Sequence, residues 1–299
     1  MTTITRNLPW YNLGTELDSF ARTSKDAITR AGLDWTVEKR KMYTLNASGN
    51  KILVPDTFAI TRNIDDKVLG TVKGRYTTFQ NEEAFSFTDS IVQAGEAVYE
   101  SAGELKGGKA VYLAMKLPET FTIGGEDLHE MYILLRTSHN GGGAIRVFLT
   151  PIRVKCTNIM STVAKSAEQS WSITHVGSLS EKLAEAQHTL QNTQDYMKEF
   201  VLQSEELMRI KITDEKAYKI LEDVLPQRPK TEEKIEAMMD YYKSSPTNGY
   251  TGTGWGLLNA LTEYQEHGIE HRSPEAHFWT GIDGYVNSWR NAVVDHLLG

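Results

Sequence analysis

The chain has 299 residues, a net charge of -7, 40% hydrophobic side chains and one cysteine, Cys156. This length predicts one large or two medium domains with a sizeable core, and a lone cysteine excludes an internal disulfide or a cysteine-based zinc cluster. Neither a signal-like start nor a run of about 18 apolar residues occurs, so the expectation is a soluble cytoplasmic protein with no membrane association.

The charge is divided unevenly. Residues 1–165 carry 20 basic against 18 acidic side chains, a net of +2, whereas residues 166–299 carry 12 against 21, a net of -9. Local potential steers a ligand, so overall acidity does not exclude a polyanion partner for the first half.

In chain order, Glu16 to Ala31 reads as a helix stopped by Gly32, followed by strands around Trp35 to Tyr43, Lys51 to Pro55, Phe58 to Arg62 and Val68 to Val72. Asn81 is placed as the cap of a helix reaching about Ala94, with Glu82 and Glu83 suiting its positive end and Gly95 ending it. Ala97 to Leu105 and Lys109 to Leu117 flank Gly107-Gly108, a two-residue hairpin turn. Tyr132 to Thr137 and Ala144 to Cys156 complete an antiparallel sheet, and a helix is expected from near Asn158.

From Ser178 the period lengthens to that of a helix. Ser178 and Glu181 form a capping box, and Leu179, Leu183, Ala186, Leu190, Thr193, Met197, Phe200, Ser204 and Leu207 keep four-three spacing. Such a helix either lies along its own domain or forms a seam between subunits. Shorter helices follow near Thr213 to Val224, Thr231 to Lys243, Trp255 to His267 and after Ser273-Pro274. The reading is therefore α+β: a curved antiparallel sheet with packed helices in residues 1–165, then a mainly helical, acidic region in residues 166–299.

Three signals resemble catalytic chemistry. Gly103 to Ala110 fits a phosphate loop except at Ala110, which cannot ligate magnesium and opens a strand, so a hairpin turn is the plainer explanation. His267, Glu270 and His271 match HxxEH, which on a continuous helix places two imidazoles on one face for zinc, with His277, Asp283 or Asp295 as a third ligand. Gly268 weakens that pattern, and histidines also suit a helix C-terminus. Cys156 with His139 or His175 is a conceivable nucleophile and base, but its strand parity points it inward as a small hydrophobe. No catalytic residue, metal or cofactor is assigned, and the enzyme reading rests on the histidine cluster alone.

The strongest functional signal is a window without acids from Met131 to Ala167. Ile133, Leu135, Ile145, Val147, Leu149, Ile152, Val154 and Cys156 are expected on one apolar face, and Tyr132, Arg136, Arg146, Phe148, Arg153 and Lys155 on the other. Cations with aromatics between them suit single-stranded DNA, where phosphates meet charge and bases stack on rings. Lys73, Arg75 and Tyr76 form a second basic-aromatic cluster. The competing explanation is a solvated face, or arginines paired with carboxylates of the acidic half.

Several strings together carry a family resemblance: Leu13-Gly14-Thr15, Ala31 to Trp35, Tyr76 with Gln80 to Phe85, Ala102 to Gly108, Arg153 to Asn158, and Gly254 to Tyr264. The chain resembles the phage/plasmid-like proteins named for an "LGT" motif, a family of unknown function. The resemblance implies a phage, prophage or plasmid origin and a bacterial cytoplasm, and it supplies no catalytic residues. The order of elements is also similar to phage single-strand annealing proteins, an analogy of fold only. The expected function is non-enzymatic single-stranded DNA binding in phage or plasmid replication and recombination, with homo-oligomerisation through the C-terminal helices. The alternative is an interaction factor acting on a host or phage protein.

Overall fold

The computed structural model describes residues 13–17, 21–142, 144–154, 169–173, 178–244, 249–283 and 286–299. The fold is α+β. A six-stranded antiparallel sheet has the order β1 (Thr15–Glu16), β5 (Val98–Leu105), β6 (Ala110–Ile123), β7 (Asp127–Ser138), β8 (Ile145–Arg153) and β9 (Ser170–Ile173). A second sheet has the order β2 (Val37–Leu45), β3 (Lys51–Arg62), β4 (Val68–Val72). Since β9 pairs with β8 from Ile145↔Ile173 to Phe148↔Ser170, the large sheet continues past residue 165.

The motif strings meet as backbone contacts. In Leu13-Gly14-Thr15, Thr15 pairs with Ala102, and a Cβ on Gly14 would stand 2.3 Å from the Ala102 carbonyl oxygen, so only glycine lets β1 close on β5. Gln80 donates to the Val37 carbonyl and accepts from its N–H, both at 2.9 Å, while Asn81 Nδ2 donates to the Leu33 carbonyl at 2.8 Å. These bonds tie the stretch after α1 (Ser24–Arg30) and the start of β2 to the first turn of α2 (Asn81–Phe85). The helix cap is Gln80, one residue earlier than expected, because Gln80 and Glu83 form the reciprocal capping box. A 3-10 turn at Ser86–Thr88 then separates α2 from α3 (Asp89–Gln93), where one continuous helix was expected.

Between Leu105 and Ala110 the hairpin turn is wider than two residues, with positive φ at Lys106, Gly107 and Gly108. Its Lys106 N–H donates to a Glu275 carboxylate oxygen at 2.8 Å, in the first turn of α8 (Pro274–Asp283). The stretch that resembles a phosphate loop thus holds one of the protein's own carboxylates, and a strand follows it.

The longest helix is α4 (Leu179–Arg209), started by the Ser178–Glu181 capping box. Its Ala186, Thr189, Thr193, Tyr196, Phe200, Ser204 and Leu207 are buried. Phe200 packs edge-on to Phe121 at 5.7 Å and to Trp255 at 6.2 Å, so this stripe is covered within the chain. The main core joins it to Leu113, Ile133, Leu135, Val147 and Leu149 of the sheet. A separate cluster links α5 (Asp214–Val224), α6 (Thr231–Ser244), α7 (Gly254–Glu263) and α9 (Val286–Leu298). On the other face of the sheet, Tyr112, Tyr132, Leu134 and Phe148 pack with Phe278 of α8.

Candidate nucleic-acid interface

The residues expected to form one basic face are divided by the uninterrupted register of β7 and β8. Pairing runs from His129↔Arg153 to Arg136↔Arg146, so Arg153 shares parity with Val147 and Leu149 and lies opposite Arg146 and Phe148. Ile152, expected beside Leu149, belongs to the Phe148 side. The parity change placed near Thr150-Pro151 does not occur, because Pro151 is carried in the strand opposite Met131 without a bulge.

Arg153 is fully buried. Its Nε donates to Asp127 Oδ1 at 2.6 Å, the Trp255 indole N–H donates to Asp127 Oδ2 at 3.0 Å, and its guanidinium lies 5.5 Å from the Tyr250 ring centroid. Beside them His129 donates from Nδ1 to the Asp127 carbonyl at 3.0 Å, and desolvation lowers its pKa to about 4. Tyr132 and Phe148 are buried as well, and the Tyr132 hydroxyl donates to Glu130 at 3.1 Å. Arg136 and Arg146 are half-buried cross-strand neighbours, and the Arg146 guanidinium covers the Phe148 ring at 4.8 Å. Lys155, Cys156, His175 and the helix expected near Asn158 lie outside the described residues.

The second cluster is accessible. Lys73 and Arg75 are exposed, and Tyr76 is half-buried with its hydroxyl donating to the Ser138 carbonyl at 3.3 Å, two residues along β7 from Arg136. Lys73 Nζ is held at 3.1 Å from Thr57 Oγ1. Lys39 donates to the carbonyls of Gly74 and Tyr76 at 2.7 and 2.8 Å and lies 4.8 Å from the Phe58 ring centroid.

Sequence reasoning missed a further set of exposed cations, at the start of β4. Lys67 Nζ packs against Gly107, placing it with exposed Lys106 and Lys109 where the small sheet meets the β5–β6 turn. Asn140 fixes that junction, since its Cα approaches Gly70 so closely that any Cβ there would stand 2.4 Å away. Other cations are already committed: Arg62 pairs with Asp65 and Glu104 at 2.6 and 2.7 Å, and Arg40 pairs with Glu38 and Asp66. The Arg62 hydrogen bond lowers the Asp65 pKa to about 2. By contrast, Lys67, Lys73, Arg75, Lys106 and Lys109 make no ion pair among the described residues. The signal was available: residues 37–75 hold eight basic and four acidic side chains, a net of +4, which counting by halves conceals.

The HxxEH stretch does not form one helical face. His267 lies in a π-turn, Tyr264–Gly268, and Ile269 is extended, so His271 leaves the helix and stacks on His277 at 4.4 Å instead. His277 Nε2 pairs with Glu266 at 3.0 Å, which raises its pKa, and the buried Arg290 donates to Gln265 at 2.5 Å, its pKa lowered to about 10 by desolvation. Among the described residues no group of three or more His, Cys, Asp or Glu is arranged to hold a metal ion, and no helix is long and apolar enough to cross a membrane.

Comparison with curated proteins gives no match, and comparison with solved structures gives none. A family model described as "Domain of unknown function (DUF932)" matches residues 68–281, from β4 into α8, and the chain belongs to this family.

Proposed function

We propose that this protein binds single-stranded DNA without catalysing a reaction on it, in the setting of phage or plasmid replication and recombination. One observation carries the reading: Lys67, Lys73, Arg75, Lys106 and Lys109 are exposed without ion-pair partners at the junction of the two sheets, in a chain of net charge -7. Exposed cations without ion-pair partners create a local positive potential even on an acidic protein, and that potential recruits a phosphate backbone. Partly exposed Tyr76 and Phe58 beside these cations offer ring surface to unstacked bases, which duplex DNA does not present. Arg136 and Arg146 extend the path on the side of Ser138, whereas Arg153, Tyr132 and Phe148 are buried and leave it. The alternative, an interaction factor for a host or phage protein, draws on Tyr43, Leu45, Ile52 and Leu53, which are exposed at the end of the β2–β3 hairpin.

The test is fluorescence anisotropy with a labelled single-stranded oligonucleotide and its duplex over a range of salt. Replacing Lys73, Arg75, Lys106 and Lys109 by alanine should each reduce the logarithmic salt slope by about 0.7 for every phosphate no longer neutralised. Absence of single-strand binding by the parent protein, or an unchanged slope in the fourfold variant, rejects the reading.

A further inference from the structure

The β2–β3 hairpin ends in an exposed tip. The pairing Lys41↔Phe58 jumps to Tyr43↔Leu53, so β3 carries extra residues around Pro55-Asp56 and the hairpin changes course beyond them. Asp56, at φ 47°, accepts the Gly74 N–H at 2.9 Å, which anchors the bulge to the sheet. Past the bulge only three residue pairs remain, closed by a turn in which Asn46 Oδ1 accepts from Ser48 and Asn50 N–H.

That tip is apolar on both sides. Tyr43, Leu45, Ile52 and Leu53 are 55, 65, 49 and 46% exposed. Two strands alone are marginal in water, and an uncovered apolar edge favours pairing with another molecule. The tip carries Lys51, exposed Lys41 stands just before the bulge, and residues 41–55 contain no acidic side chain.

A complementary surface exists on the same chain. Between α5 and α6 lies an open groove of about 710 Å³ with Asp214, Glu215, Glu236 and Asp240 along it, and with Tyr218 and Met239 as its apolar lining. Its one basic residue, Lys243, is paired with Asp214 at 3.2 Å. The tip and the groove match in charge and in apolar content, and the exposure of the tip shows that a chain does not fill its own groove with it.

We infer that a second copy of this chain is the occupant, with the β2–β3 tip of one copy seated in the acidic α5–α6 groove of the next. Such a contact joins two different surfaces, so it repeats head to tail and yields a ring when the rotation closes or a filament when it does not. It leaves Lys73, Arg75, Lys106 and Lys109 outside the contact, so it stands independently of the nucleic-acid reading.

The experiment uses two variants of the full chain, Leu45→Ser with Leu53→Ser at the tip and Glu236→Lys with Asp240→Lys in the groove. All four positions are exposed, and circular dichroism confirms each fold. Light scattering at micromolar concentration and about 0.1 M salt, where charges interact over about 10 Å, measures mass. The parent should exceed the 33.7 kDa of one chain and each variant alone should be a monomer. Mixing the two variants should give a one-to-one pair and nothing larger, because one intact tip then meets one intact groove. A symmetric tip-to-tip contact gives no pair on mixing and overturns the proposal. So does a monomeric parent, or a variant that assembles like the parent. The monomeric tip variant should still bind the oligonucleotide, so assembly and nucleic-acid binding are separately observed.

Discussion

Replacing Asp127 by alanine tests whether the acid-free window supplies a surface or an interior. Asp127 holds Arg153 at 2.6 Å and the Trp255 indole at 3.0 Å, and the two charged side chains are 2 and 1% exposed. Without the carboxylate, Arg153 remains as a buried charge deprived of its ion-pair partner, and breaking such a pair costs about 3–5 kcal/mol. Unfolding entropy of about 2.1 cal/mol/K per residue over the 299 residues converts this to a Tm lower by about 5–8 °C. Adding Arg153→Met to Asp127→Ala should restore much of the stability, since an apolar side chain of similar length then fills the site. The exposed pair Lys25–Glu82 is the control: Lys25→Ala should cost less than about 1 kcal/mol. Thermal unfolding followed by circular dichroism measures all four proteins. A Tm for Asp127→Ala within the control's range, or a double variant no more stable than the single one, refutes the assignment of Arg153 to the interior.

Two further outcomes follow from the geometry. His129 and His139 have pKa values lowered to about 4 by desolvation, whereas an unfolded chain takes up these protons near 6.5. Their stabilisation is therefore complete above about pH 6.5 and falls by roughly 3 kcal/mol per histidine as pH drops towards 4; urea midpoints at neutral and acid pH should converge in His129→Phe, and an unchanged pH dependence contradicts the burial. Gly14→Ala should detach β1 from β5, because the new Cβ meets the Ala102 carbonyl at 2.3 Å. Hydrogen exchange at residues 101 and 102 reads this directly, and unaltered protection there rules out the close approach.

Much of the fold was legible where a single physical rule acts alone. The Ser178–Glu181 box marked the start of α4, alternation located β5 to β8, and Gly107-Gly108 located a hairpin. What escaped was decided by partners distant in sequence. Gln80 caps α2 while also bonding Val37, and no local pattern shows that second attachment. Along α4 the expected stripe included Leu183, which is 45% exposed, while Tyr196 and Thr189 are buried in its place because Trp255, Phe121 and α9 determine which face is covered. At Arg153 the expected faces require the alternation to change phase between Leu149 and Ile152, whereas the strand continues and the charge lies inside with Asp127. Burial of a charge depends on a partner, and this partner sits 26 residues earlier.

The same reasoning explains why the absence of acids between residues 131 and 167 does not itself locate a ligand. Four cations in that window were expected to share a surface, yet Arg153 is neutralised from β7's first residue, Asp127, which precedes the window, and Arg146 lies against Phe148. Charge becomes available to a ligand only where the fold supplies no counter-charge. Among the described residues Lys73, Arg75, Lys106 and Lys109 make no ion pair; Lys106 and Lys109 belong to the β5–β6 turn that lies against Lys67 at the start of β4, and Lys73 and Arg75 follow the end of β4. Arg62 and Arg40 come from the same small sheet but are paired with carboxylates, so alanine at either should alter stability with little change in salt slope. A fall in slope at Arg40 equal to that at Arg75 would mean that its ion pairs open on binding and that pairing does not define the interface.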